Sequence, residues 1–232
     1  MYLLLSHGNL EGYQFADSKS LMAFEEISQG ARRWGESPPD EMTARTETSG
    51  GRVAGFLHAR MRSLSDDSLI DLLVPDLPGE WSDTLIDSNR TDRLDFVRSA
   101  DVVWLFVNGS ELRQPALRMH TLNRTKLLLR RVADMLDVRK PPIKIVVSHA
   151  DAGDLPEQTV QKLNKMGEDV GVDLEIIDIA SFSDADGKKP GSGISKLIDA
   201  SRPVPLGQPP EWPTDTIEAD RFALRYTEAG KP

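Results

Sequence analysis

Two short runs in this chain carry residue types suited to phosphate and purine chemistry. The first is Asp76-Leu-Pro-Gly79, directly after the apolar run Leu69–Val74. A carboxylate at such a strand end can hold a Mg²⁺-bound water, because Mg²⁺ takes oxygen ligands and keeps several waters. Gly79 can offer its N–H to a terminal phosphate oxygen, since no side chain blocks the approach. Glu80 follows directly. The second run is Ser148-His-Ala-Asp151, after the apolar run Ile143–Val147. A carboxylate there can accept two N–H bonds from guanine N1 and N2, and leaving such a pair unmade is costly. His149 can lie against the base, and Asp154 competes for the carboxylate role. Each run also has a plain structural reading, the first as a turn after a strand and the second as a helix-capping Asp.

Two weaker candidates join them. Ile179-Ala-Ser181 ends another apolar run, and the small residues Ala180 and Ser181 would let a backbone N–H approach a guanine O6. Thr43 and Thr46 lie in a polar stretch. A threonine hydroxyl on a loop can bind Mg²⁺ only when a terminal phosphate is present, which makes an order–disorder switch. Otherwise it is a solvated loop hydroxyl. The four histidines form no His-x-x-x-His or His-x-His pair, and there is no cysteine, so thiolate metal sites and disulfides are excluded. No Gly-x-Ser-x-Gly elbow occurs.

The elements that must position these residues follow from periodicity. Helical spacing is expected over Asp17–Trp34, Ser82–Arg98, Gln114–Asp137, Pro156–Val170 and Ser192–Ala200. Strands are expected at Val53–Met61, Leu69–Val74 with Pro75 ending the ladder, Asp101–Val107, Ile143–Val147 and Leu174–Ile179. Residues 36–51 read as a loop. Near-continuous apolar strands alternating with helices predict a three-layer α/β fold with a mostly parallel sheet. Ligands of such sheets bind at the strand C-terminal ends. The chemistry is then expected in the loops after Val74, Val107, Val147 and Ile179.

The 232 residues suit one domain, residues 1–201, with a Pro-rich tail, 202–232. The net charge of −9 argues against nucleic-acid and anionic-membrane binding. No apolar run approaches the ~18 residues of a membrane span. The expected setting is soluble and cytoplasmic.

The order of these motifs resembles a Ras-like P-loop GTPase of the translation-factor-related class, and more narrowly the bacterial double-GTPase type. The residues that carry the resemblance are Gly12-Tyr-Gln-Phe-Ala-Asp-Ser18, Thr43-Ala-Arg-Thr46 before Leu57-His58, Asp76-Leu-Pro-Gly-Glu80, Ala100-Asp101 with Asn108-Gly109, and Ser148-His-Ala-Asp151. The likeness spans roughly residues 3–200. It implies GTP/GDP and Mg²⁺ as ligands, with Asp76 and Gly79 in the switch II role and Thr46, or its rival Thr43, as the switch I threonine. It further implies that Asp151 reads guanine, that Ala180-Ser181 forms the last base loop, and that a protein partner or adaptor is engaged in signalling or conflict systems.

The departures are specific. No Gly-x-x-x-x-Gly-Lys-Ser/Thr run occurs in the sequence. His149 stands in place of the usual Lys, and Ser148 in place of Asn or Thr. Glu80 stands where relatives use a Gln, and an ionised Glu donates no hydrogen bond. In the family a first strand and its phosphate loop precede the region of Gly12–Ser18, and that strand lies between those ending at Val74 and Val107. Three sources for it are expected, in this order: a longer protein upstream of Met1, a partner chain, or Met1–Leu5 itself. Impaired hydrolysis is expected without it. The competing expectations are a nucleotide-independent interaction module on a degenerate GTPase fold and, behind it, a flavodoxin-like receiver.

Overall fold

The protein is described by a computed structural model over residues 8–22, 55–77, 79–91, 94–136, 141–181 and 189–202. All of these belong to one unit, Met1–Arg202. Thr43 and Thr46, the polar stretch 36–51, Met1–Leu5 and the Pro-rich tail lie outside the described residues.

The first sheet is antiparallel, in the order β1 (Tyr13–Asp17), β2 (Gly55–Ser63), β3 (Leu69–Asp76). A tight turn closes β2 onto β3, with Ser63 N–H donating to Ser68 O at 2.9 Å. The second sheet is parallel, in the order β4 (Val103–Val107), β5 (Ile143–Val147), β6 (Leu174–Asp178). The expectation of a mostly parallel sheet is therefore corrected: three of the six described strands are antiparallel, and the two sheets share no strand pairing. The reason is the short β2–β3 connection, because parallel strands need a crossover of a dozen or more residues and a tight turn forces reversal.

Three further readings change. Asp17, expected to open a helix, is instead the last residue of strand β1, and residues 23–34 of that expected helix lie outside the described residues; Tyr13 and Phe15 pack on the core and Gln14 faces out, the alternation of a half-buried strand. Pro75 sits inside β3, not beyond it. Its partner Phe56 lies on the β2 side, and a strand with one described neighbour tolerates a missing N–H. The helix expected over Ser82–Arg98 is two pieces, α1 (Gly79–Ser88) and a 3₁₀ turn at Asp95–Ser99. Asn89, with φ 52°, turns the chain out of α1.

Parallel β5 is buried at every residue, as a strand covered on both faces must be. Its Lys144 pairs with Glu175 of β6 at 2.9 Å. One face is covered by α3 (Pro115–Met135), which buries Leu122, Leu129 and Val132. Beside it runs α4 (Glu157–Val170), with Leu163 and Met166 facing the core. A one-turn helix, α2 (Gly109–Arg113), joins β4 to α3, and Pro115 starts α3 where its missing N–H costs nothing.

The last helix, α5 (Ile194–Asp199), ties the sheets together. Ile198 enters the cluster of Leu10, Tyr13 and Met61 on the antiparallel sheet, while Leu197 enters the cluster of Val146, Ile177 and Ile179 on the parallel one. Polar contacts reinforce the join. Trp104 Nε1 donates to Ser201 Oγ at 2.8 Å, and Arg202 reaches Asp66 and the Tyr13 hydroxyl, both at 3.0 Å. The Tyr13 hydroxyl in turn bonds to Asp199. Burial and the Asp199 carboxylate push the Tyr13 phenol above its ordinary range. The described edges of β3 and β4 both carry exposed apolar side chains, Leu73 at 67% and Phe106 at 60%.

Candidate functional site

Parallel register brings three loops to one rim. Val107 lies opposite Val147, and Val147 opposite Asp178, so Asn108, Ser148 and Ile179 leave the sheet side by side. Backbone bonds continue past the strands. Ser148 N–H donates to Val107 O at 3.0 Å, Ile179 N–H to Val147 O at 2.8 Å, and Ala150 N–H to Ile179 O at 3.0 Å. The structure thus joins the loops carrying Ser148, His149, Asp151, Ala180 and Ser181.

Each loop has its own local logic. Asn108 is an N-cap, its Oδ1 accepting from Ser110 N–H at 3.0 Å and Glu111 N–H at 3.4 Å. Gly109 is obligatory for packing: a Cβ there would overlap Ser148 O and Arg113 Nη1 and stand 2.8 Å from Val147 Cγ1. His149 adopts a left-handed conformation, φ 56°, and its Nδ1 lies 2.8 Å from Ser148 Oγ. Ala150–Ala152 forms a 3₁₀ turn that holds Asp151 partly exposed, and Gly153 at φ 102° ends it. A partly exposed carboxylate on such a turn has the chemistry to accept N–H bonds from a ligand.

The last loop is more constrained than expected. Ala180 is fully buried, and its N–H is already engaged with Ser192 O at 2.9 Å. Gly191 N–H returns the bond to Ala180 O at 2.8 Å. Of the pair, Ser181 is the exposed one.

Asp76, Gly79 and Glu80 stand at the C-terminal end of β3 and the opening of α1. Asp76 is half-buried, while Gly79 and Glu80 are exposed. The Gly79 carbonyl is held by Ser82 Oγ at 2.6 Å and the Glu80 carbonyl by Thr84 Oγ1 at 2.7 Å. The structure does not bring Asp76, Gly79 and Glu80 together with the Asp151 loop in one cavity. A cavity of about 350 Å³ is lined at once by Ser82 and Asp83 of α1, by Asn108 and Glu111 at the β4 rim, and by His120 and Arg124 of α3. Asp83 and Arg124 pair across it at 2.6 Å.

Among the described residues no three acidic or histidine side chains group into a metal cage. The donor set at Asp76 suits a Mg²⁺ carried in by phosphates, which needs only one or two protein carboxylates. Among the described residues no helix is long and apolar enough to cross a membrane.

One site residue was missed in the sequence: Arg113, whose Nε donates to Gly153 O at 2.7 Å across forty positions of chain. Nothing in its neighbours signals that contact.

No curated protein matches this chain. The family model for Double-GTPase 2 does match it, over residues 1–201. That match covers nearly the whole described body, including every candidate loop, and the chain belongs to the Double-GTPase 2 family.

Proposed function

We propose that this protein is a guanine-nucleotide-binding switch domain, reading the base with the loops after β5 and β6 and the phosphate end with the β3–α1 junction. The observation that carries the reading is the aligned rim, where a partly exposed carboxylate, Asp151, sits on a rigid turn between two hydrogen-bonded neighbouring loops. Membership of a GTPase family supports it.

In this reading Asp151 accepts from guanine N1 and N2, His149 and Ser148 flank the ring, and Ser181, with Ala180 behind it, borders O6. Asp76 and Thr46 hold Mg²⁺ through its waters and hydroxyl ligand, Gly79 offers its N–H to the terminal phosphate, and Glu80 sits beside the attacking water. The fold is read as Ras-like, with the strand that would carry the phosphate loop pairing between β3 and β4. The exposed Leu73 and Phe106 on those strands support that placement. With the 232 residues alone, hydrolysis is weak, because positioning and charge stabilisation by the phosphate loop supply nearly all of the catalysis. In this reading the domain works in bacterial signalling or conflict systems, in the cytoplasm, with an adaptor partner.

The test is equilibrium titration of the full chain with labelled GTP, GDP and ATP in Mg²⁺. Guanine nucleotides bind in preference to ATP, and Asp151→Asn removes the preference by roughly tenfold or more, the size expected of hydrogen bonds to a charged group. Binding that Asp151→Asn leaves unchanged contradicts the assignment.

A second reading, nucleotide-independent protein docking, has one observation in its favour. The cavity between α1 and α3 is bordered by exposed apolar Phe106 and Leu117. Partner capture by a chain unable to bind nucleotide would favour it.

A further inference from the structure

The loop from Ser148 to Gly153 begins and ends in left-handed backbone, at His149 (φ 56°) and Gly153 (φ 102°). A non-glycine residue is strained there, and such conformations persist only where surrounding structure over-determines them. The over-determining group is a guanidinium. Arg113, the last residue of α2, donates from Nε to Gly153 O at 2.7 Å. Its Nη1 is buried and has no hydrogen-bond acceptor among the described residues. That same Nη1 crowds the point where a Gly109 side chain would stand, and so does Ser148 O. The planar fork thus holds the far end of the loop at Gly153 O, while Nη1 and Ser148 O both stand close to Gly109 at its near end. The base of the fork is itself fixed. Arg118 donates to Leu112 O at 2.7 Å and to Arg113 O at 2.8 Å, locking the α2–α3 corner.

We infer that Arg113 is a positioning residue for base recognition: its guanidinium, bonded to Gly153 O and packed beside Gly109, braces the turn that carries Asp151. Arg113 does not touch the base. It acts through the loop, and the inference rests on the reading of Asp151 given above. Gly109 is the companion requirement, since any side chain there would fill the space the guanidinium needs.

Two readouts separate this inference from that reading. The first needs no ligand. In amide hydrogen exchange on the full chain, Arg113→Ala loses protection at Ala150 and Ala152, whose N–H groups bond to Ile179 O and His149 O, while Ile179, bonded to Val147 O, keeps its protection. Arg113→Lys, which keeps the charge without the fork, gives the same loss, and it decides the matter if Arg113→Ala does not fold. Unchanged protection at Ala150 and Ala152 overturns the brace whatever the nucleotide result.

The second readout is selectivity between GTP and ITP, which differ by the 2-amino group that Asp151 would hold. The unaltered chain prefers GTP by roughly tenfold, as one hydrogen bond to a charged group implies, and the Arg113 variants bring that ratio toward unity with little change in melting temperature. A ratio that stays at the wild-type value in a variant with lost loop protection overturns the positioning role. A wild-type chain with no preference for GTP over ITP sinks the Asp151 reading instead, while the exchange result still decides the brace.

Discussion

At the scale of single residues, the site depends on close approaches that admit no substitute. Gly109 is the sharpest case. Its Cα lies against the Ser148 carbonyl and the Arg113 guanidinium, so Gly109→Ala forces the β4 and β5 loops apart. The expected cost is about 1–3 kcal/mol, the range for overpacking a well-filled site. Thermal unfolding checks it, and an unchanged melting temperature would show that the loops yield without strain. Asp151 could be singled out from sequence because a carboxylate just past an apolar run has few roles to fill. Arg113 could not, since its partner is forty residues away and only the tertiary turn at Gly153 reveals it. Ala180 shows the opposite failure. A small residue read as leaving its N–H open proves to have that N–H bonded to Ser192, a contact no local pattern announces.

At the scale of elements, the parallel half of the molecule was readable, and of the antiparallel half β2 and β3 were expected as strands while β1 and the antiparallel pairing were not. Ile143–Val147 forms β5 as expected because four of its five residues are β-branched and apolar, which suits a strand buried on both faces. Tyr13–Asp17 escaped because its alternation spans only five residues and leads straight into a helical turn. The antiparallel sheet carries its own electrostatic signature. Asp71 of β3 accepts from Arg60 Nε at 2.7 Å and lies 2.8 Å from His58 Nε2. The Arg60 guanidinium first, and His58 second, hold its carboxyl down to about 2. A carboxyl depressed in the folded state stabilises it above the unfolded pKa of roughly 3.9 and loses that contribution as pH falls toward the folded value. Stability of the native chain should therefore drop between about pH 4 and pH 2 more steeply than that of Asp71→Asn. Parallel pH profiles for the two proteins in denaturant titrations would contradict the assignment. His58 is also fixed by Lys19 N–H, which donates to Nδ1 at 3.0 Å, so the ring carries its proton on Nε2 toward Asp71.

At the scale of the whole molecule, two sheets that share no strand pairing are held as one body by α5. Ile198 is 3% exposed and lies in the cluster on the antiparallel sheet, while Leu197 beside it serves the parallel one. Truncating Ile198→Ala should cost about 2–5 kcal/mol, the usual range for a buried aliphatic side chain. Hydrogen exchange should then show β1–β3 losing protection while β5 retains it. Equal loss in both sheets would mean that α5 is not their main connection. The alternation of strands and helices from β3 onward followed from periodicity. The separation into two sheets did not, because it depends on a tight turn between β2 and β3 and on what lies between β3 and β4. The central claim is that the loops after β4, β5 and β6 form one guanine site. Amide NMR of the full chain on addition of GDP with Mg²⁺ tests it most directly. The account predicts shifts concentrated at Asn108, Ala150, Asp151 and Ser181, and none with ADP. Shifts scattered over other surfaces, or the same pattern with ADP, would contradict it.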